Sequence, residues 1–415
     1  MHATAIASDD TTTDPVLAEW RRDTPGCANR NHLNNAGSAL PPEVVLRATV
    51  EHIRLEGEIG GYEAADHAGD RIQAVYHGIA GLLGTRPDNV AIVANGTAGF
   101  IQALTSFDLE RGDVIVTSRS DYTSNQIQYM ALARRLGVRI VHAADHPGGG
   151  IDPGSVREAL RSMPVRLVAV SWIPTHSGLV QDVEGVGEVC EEFGVPFIVD
   201  AVQAVGQIPI DVSVLKCDYL VATARKFLRG PRGIGFLYAS DRALARGDYP
   251  LFVDMRGARW TAPADFQVVP TAKRYEDWEF PYALVLGMGA AVDYALRHDV
   301  RRCGERAFAL GRRLREGLEA ADGVQVLDRG SDRSAIVTAA VRGCTGHEIM
   351  RGLAAEGINA VATLREFALH DFGPRGVESG VRLSPHYYNT TQEVDAAIDV
   401  VRRLAASGPA PESRR

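Results

Sequence analysis

Residues Cys217–Tyr238 read CDYLVATARKFLRGPRGIGFLY. A strand-like run, Tyr219 to Ala222, leads into Thr223-Ala224-Arg225-Lys226, a Gly-Pro-Arg-Gly turn follows, and a second apolar run spans Ile234 to Tyr238. Turn residues between two apolar runs of strand length predict two buried strands. The lysine between them is paired, held by a site, or used covalently, because an uncompensated buried ammonium is costly and escapes through a lowered pKa. An amine of lowered pKa is the one that forms Schiff bases with carbonyl compounds. The competing reading is a turn lysine with its head in water.

Outward from this stretch, short apolar runs alternate with helical periods. The pattern predicts strands at Val90–Ala94, Asp113–Thr117, Val138–His142, Arg166–Ser171, Phe197–Asp200, Tyr219–Ala222 and Gly233–Tyr238. Helices are expected between most of them, at Thr97–Phe107, Thr123–Leu136, Pro153–Ser162 and Val183–Phe193. Such alternation argues for an α/β protein with a mostly parallel, seven-stranded sheet covered by helices on both faces. In sheets of that kind, ligands bind outside the carboxyl ends of the strands. Ahead of the sheet, helices are expected at Pro15–Arg22, from Glu43 to about Gly57, and at Asp66–Leu83. Beyond it, a long connection (Asp241–Glu279) leads to an apolar helix, Pro281–Arg297, and a smaller α+β unit. That unit should hold a helix to about Ala320, strands Ala335–Val341 and Val381–Ser384, and helices Gly346–Glu356 and Thr391–Leu404. The expected division is an N-terminal arm (1–30), a large domain (31–290), a small C-terminal domain (291–405) and a tail (406–415). Residues 1 to about 14 and the closing SGPAPESRR are polar and read as frayed ends.

Composition narrows the function. A net charge of −8 and arginines scattered through expected helices argue against nucleic-acid binding. The five cysteines (Cys27, Cys190, Cys217, Cys303, Cys344) form no CxxC pair and no paired framework, which argues against zinc and disulfides. The opening MHATAIASDDTTTD has neither the basic nor the apolar region of a secretory signal, and no apolar run reaches the length of a membrane helix. A cytoplasmic protein is expected.

Two further stretches carry chemistry. Asn95-Gly96-Thr97-Ala98-Gly99-Phe100 follows the first strand and opens a helix, so its amide donors and the helix dipole suit a phosphate; alone it is more simply read as a threonine cap. Phe197-Ile198-Val199-Asp200 puts an acid at the carboxyl end of an apolar strand, where it caps the next helix or meets a protonated ligand nitrogen. An acid facing a pyridinium nitrogen, with a Schiff-base lysine one strand later at the same sheet edge, is the protein's share of pyridoxal phosphate chemistry.

On these residues the chain resembles the pyridoxal-phosphate enzymes of aminotransferase class V (fold type I), which include cysteine desulfurases, isopenicillin-N-epimerase-like proteins and related C–S lyases. The resemblance runs from about His32 to Val401. It rests on Val199-Asp200-Ala201-Val202-Gln203 with Val205-Gly206, the lysine turn Thr223–Gly235, and Val381-Arg382-Leu383-Ser384-Pro385 leading to Tyr388-Asn389-Thr390. It implies that Lys226 holds pyridoxal 5′-phosphate and shuttles protons, that Asp200 pairs with the ring nitrogen, and that Gln203 and Thr175 lie near the ring hydroxyl. Gly96, Thr97, Thr223 and Arg225 match the phosphate site. Tyr122 stands where desulfurases stack a histidine on the ring, and Arg382 matches the arginine that grips the substrate carboxylate. Other expected substrate contacts are Asn35 and His176, with Asn34, Trp260, His370 and His386 as further candidates. The resemblance also implies a homodimer with the site at its interface.

The departures matter as much. Desulfurases carry a nucleophilic cysteine shortly before the Arg382 region, and here Val361 to Glu378 contains none. The family's Gly-Thr pair, a phosphate contact from the neighbouring subunit, is replaced by Asp277-Trp278. Persulfide formation is therefore disfavoured, and the leading reading is β-elimination of a thiol from an S-substituted cysteine conjugate, leaving pyruvate and ammonia. It is similar in this to the cysteinyl-processing enzymes of lincosamide antibiotic biosynthesis. Decarboxylation coupled to oxidative deamination, giving an aldehyde, is the alternative, followed by transamination or epimerisation. A fold retained only for binding is the reading from another class, against which Lys226, Asp200, Gln203 and Arg382 argue.

Overall fold

The computed structural model describes residues 14–407, so the polar ends expected to fray lie mostly outside the described residues. Seven segments form strands: Val90–Val93 (β1), Val114–Thr117 (β2), Arg139–His142 (β3), Val165–Ser171 (β4), Phe197–Asp200 (β5), Tyr219–Thr223 (β6) and Gly235–Ala239 (β7). They make one sheet in the order β1-β7-β6-β5-β4-β2-β3. All pairs are parallel except those of β7, which is antiparallel to both neighbours. The reason is length. Residues 224–234 hold the lysine turn and no helix, and a parallel return needs a crossover of about a dozen residues or more.

Both faces of the sheet are buried, which is why its strands read as unbroken apolar runs. Val114, Val116, Val168, Val170, Val199 and Ala222 enter one core, while Ile115, Leu167, Ala169, Ile198 and Val221 enter the other. The covering helices start and stop where local chemistry directs. Asn95, Asp152 and Asp182 cap the helices Gly96–Leu104, Pro153–Ser162 and Val183–Phe193 through side-chain oxygens. Gly137 and Gly194 end Thr123–Leu136 and Val183–Phe193 in the left-handed conformation.

Two expectations are corrected. The helix expected at Asp66–Leu83 is two helices, Gly61–His67 and Gly69–Leu83, broken at Ala68 (φ −93°, ψ 7°). The long connection Asp241–Glu279 contains elements that were not expected. It holds a short helix, Asp241–Arg246, and a hairpin of Ala258–Ala262 (β8) and Asp265–Val268 (β9).

A second, antiparallel sheet comprises Val324–Val326 (β10), Val337–Val341 (β11), Val361–Leu364 (β12) and Ser379–Leu383 (β13), in the order β10-β11-β13-β12. Alternation along β13 sends Val381 and Leu383 into an apolar core shared with Leu310, Leu314, Leu353 and Val401, and Arg382 to the opposite face. The N-terminal segment is pinned here. Asn31–His32 pairs in parallel with Ile358–Asn359, and Asn34 bridges to Ser384.

Candidate active site

The carboxyl ends of β1, β5 and β6 and the segment that follows β2 open on one cavity of about 250 Å³, lined by Asn95, Gly96, Thr97, Tyr122, Asn125, Asp200, Val202, Thr223, Arg225, Lys226, Arg232 and Gly233. Register explains the convergence: Ser171, Asp200 and Val221 are lateral neighbours at the ends of β4, β5 and β6. Gly96 is required by close approach, since a Cβ there would fall 2.4 Å from Val202 Cγ2. Gly206 (φ 90°) plays the same part behind the lysine turn, where a Cβ would lie 2.3 Å from the Phe227 carbonyl group.

Lys226 is 7% exposed, which rejects the water-facing turn lysine. Burial, then Arg225 and Arg382, lower its pKa to about 7 against the pull of Asp200. The amine is thus available as a nucleophile and base near neutrality. Its turn is held by Arg229, whose backbone is left-handed (φ 64°). The buried Arg229 guanidinium donates to Leu40 O, Tyr387 Oη and Thr24 Oγ1 and packs on the rings of Tyr387 and Tyr388, 5.1 and 4.5 Å from their centroids.

Asp200 is buried and accepts from Asn125 Nδ2 (2.9 Å), Ser171 Oγ (3.2 Å) and Val202 N–H (3.0 Å). No cation pairs with it among the described residues. Beside the cavity, Arg382 donates to Thr175 O (2.9 Å) and Asn34 Oδ1 (3.2 Å), while its Nε has no partner. Burial lowers its pKa to about 10, helped by Arg225. Gln203 Nε2 donates to Thr175 Oγ1 (2.8 Å) and Ala36 O (3.1 Å), leaving its Oε1 buried and unpartnered.

Residues 31–397 match the family model Aminotransferase class-V. The chain belongs to the class-V aminotransferase family. A probable cysteine desulfurase of Methanothermobacter thermautotrophicus is 25% identical over 400 residues, covering 94% of this chain and 98% of the relative. The apo structure of a cysteine desulfurase from Thermococcus onnurineus NA1 superposes with a TM-score of 0.85 at 22% identity, over 98% of this chain and 100% of that one. The complex of the cystine C–S lyase C-DES with its product cysteine persulfide superposes with a TM-score of 0.82 at 23% identity, over 93% and 100% of the two chains. Both structures show the shared fold. As a class-V aminotransferase of fold type I, the chain is an enzyme that works with pyridoxal 5′-phosphate.

The residues present fit that cofactor. Lys226, Arg225 and Arg232 face one carboxylate, Asp200, on the cavity wall, an excess of positive charge that suits a phosphate. The start of the helix Gly96–Leu104 opens on the same space; its cap is Asn95 rather than the expected threonine. Gln203 Oε1 and Arg382 Nε are buried polar atoms without a partner. Of the class-V site residues expected from sequence, Lys226, Asp200, Gly96, Thr97, Tyr122, Thr223 and Arg225 line the cavity, and Gln203, Thr175 and Arg382 form the cluster beside it.

The remaining expected contacts are committed elsewhere. Asn35 is fully buried, donates to His32 O and Ser384 O, and accepts from Tyr388 Oη; its neighbour Asn34 is the residue that meets Arg382. His176 faces Asp371 (3.4 Å) and the Phe372 ring, off the cavity wall. His386 bonds Phe227 O, His370 lies against His142 with the rings tilted by 46°, and Trp260 is exposed on β8. Sequence reading missed Asp121, Asn125 and Ser171. The signal available was the cluster of polar residues in Ser120–Asn125 and at the end of β4, where an apolar strand meets the sheet edge.

Proposed function

We propose that this enzyme is a C–S lyase which removes a thiol from an S-substituted cysteine by β-elimination. The observation that carries the reading is the absence of a thiol from the site. No cysteine lines the cavity, residues 361–378 contain none, and burial holds the Cys27, Cys190, Cys217, Cys303 and Cys344 thiols above their ordinary pKa. The relatives named cysteine desulfurases support chemistry at the cysteine C–S bond; without a nucleophilic cysteine, elimination is the way to break it.

Pyridoxal phosphate supplies, when bound, an electron sink for the bond broken at the substrate Cα. Lys226 holds it, and its amine, poised near neutrality, takes the Cα proton. Asp200 would meet the ring nitrogen, Tyr122 would cover the ring, and Gln203 with Thr175 would serve the ring hydroxyl. Gly96, Thr97, Thr223 and Arg225 would hold the phosphate. Arg382 orients the α-carboxylate through its planar fork, already fixed by Thr175 and Asn34. As the proton leaves Cα, the Cβ–S bond breaks and the thiolate departs; the aminoacrylate product takes up water to give pyruvate and ammonia. The S-substituent is an alkyl or glycosyl group of the kind found on antibiotic precursors.

The expected assembly is a cytoplasmic homodimer. Phe252 (87% exposed), Trp260 (80%), Leu251, Met255 and Trp278 present apolar surface around the connection that precedes residue 279. The division into large and small domains at about residue 290 is taken as the functional one. Incubation with S-ethylcysteine tests the activity: thiol with pyruvate supports elimination, and carbon dioxide with ammonia but no thiol rejects it. Light scattering that gave a monomer mass would reject the dimer.

A further inference from the structure

Asp121 does not line the cavity, yet its surroundings are those of a functional acid. It follows β2, is 4% exposed, and pairs with no guanidinium or ammonium among the described residues. Its Oδ1 accepts from Ser171 Oγ (2.5 Å), Tyr122 N–H (2.7 Å) and Asn125 Nδ2 (3.2 Å). Its Oδ2 accepts from Thr117 Oγ1 and Tyr129 Oη, each at 2.9 Å. Five donors and no cation hold this carboxylate.

Two of those donors also serve Asp200. Asn125 has two amide hydrogens and supplies one to each acid, at 3.2 Å for Asp121 and 2.9 Å for Asp200. Ser171 has one hydroxyl proton within reach of both carboxylates, 2.5 Å from Asp121 and 3.2 Å from Asp200, and the two acids share it. A cap for the helix Thr123–Leu136 would need none of this; that helix has no side-chain cap at Tyr122.

We propose that Asp121 is a positioning residue that fixes Asp200 through Ser171 and Asn125 and adds a second negative charge toward the ring-nitrogen end of the cofactor site. The inference rests on the reading that Asp200 faces that nitrogen. A second carboxylate favours the protonated ring nitrogen, the form that draws electrons from the reacting bond. Burial above all, and then Asp200, raise the Asp121 pKa against the opposing hydrogen bonds from Ser171, Thr117 and the Tyr122 N–H. The other titratable groups around the pair are Tyr129, behind Asp121, and Tyr122, Arg225 and Lys226 on the cavity wall.

The test is the pH titration of the visible cofactor band in the holoenzyme, with the cofactor dissociation constant measured by fluorescence on the apoprotein. Asp121→Asn keeps the shape, because the Thr117 and Tyr129 hydroxyls can turn to accept from the amide. Losing positive character at the ring nitrogen raises the pKa of the Lys226–cofactor linkage, so the band should titrate about one pH unit higher, and the cofactor should bind several-fold more weakly. Asp200→Asn should move both further. Tyr129→Phe, which touches Asp121 but not Asp200, should leave the band within a few tenths of a unit. If Asp200→Asn shifts the band and Asp121→Asn does not, the role of Asp121 is overturned. If neither shifts it, the placement of Asp200 at the ring nitrogen fails. If Tyr129→Phe shifts it as far as Asp121→Asn, loosened packing is the cause and the role is again overturned.

Discussion

Replacing Lys226 by methionine removes the buried ammonium while keeping the length of the side chain. In the cofactor-free protein, burial, Arg225 and Arg382 lower the Lys226 pKa from 10.5 to about 7. A base whose pKa falls on folding destabilises the fold wherever the unfolded chain holds the proton more tightly. The cost is complete below the folded value, declines as pH rises from about 7, and is gone above the unfolded value near 10.5. The displacement corresponds to about 5 kcal/mol below pH 7. The Lys226→Met protein should therefore be more stable than the wild type in acid by an amount that shrinks by about 4–5 kcal/mol between about pH 6 and pH 10.5. Urea unfolding of both cofactor-free proteins across that range measures it, because every other titrating group is common to the two and cancels. A stability difference that does not change with pH would mean that Lys226 titrates normally, and would refute the argument that the fold prepares this amine.

The same poise should appear in kinetics: covalent capture of pyridoxal phosphate by the apoprotein, fixed with borohydride, should accelerate with pH and level off above about 7. Arg225→Gln, which removes the larger of the two cationic influences, should move that inflection up by roughly one unit. Arg382→Lys keeps the charge but loses the fork held by Thr175 and Asn34, so KM should rise about tenfold or more with a smaller change in kcat; an unchanged KM would remove Arg382 from carboxylate binding. Arg229→Met strips the donors from Leu40 O, Tyr387 Oη and Thr24 Oγ1 and should cost about 3 kcal/mol of stability in urea unfolding, with cofactor lost early in the transition.

The legible part of this molecule is the part buried on two sides. β1, β2, β4, β5, β6 and β7 were readable because their residues enter two cores and so carry long apolar runs; the edge strand β3, Arg139–His142, showed only the apolar pair Ile140-Val141. The helices Thr123–Leu136, Pro153–Ser162 and Val183–Phe193 were readable to the residue, through proline or aspartate at the start and glycine at the end of two of them. The hairpin β8–β9 was not, since its strands are exposed on both faces and show no alternation. The short strands β10 and β12 are only half-buried and leave too few residues for a pattern. At the site, residues tied to a strand end or the lysine turn could be placed in advance. The Asp121–Ser171–Asp200 network could not, because it joins the loop after β2 to the ends of β4 and β5, which meet only through sheet register. Asn34 and Asn35 show the limit most sharply: adjacent residues of one type, one turned to Arg382 and the other locked between His32 and Ser384.

Product analysis decides whether this enzyme cleaves a cysteine C–S bond without a thiol of its own. S-ethylcysteine is incubated with the holoenzyme and with a variant in which all five cysteines are replaced by serine or alanine, and ethanethiol, pyruvate and carbon dioxide are quantified together. Elimination should give equal amounts of ethanethiol and pyruvate, no carbon dioxide, and turnover retained in the cysteine-free variant. Carbon dioxide without thiol, or turnover lost in a cysteine-free variant that still folds and binds the cofactor, would contradict it.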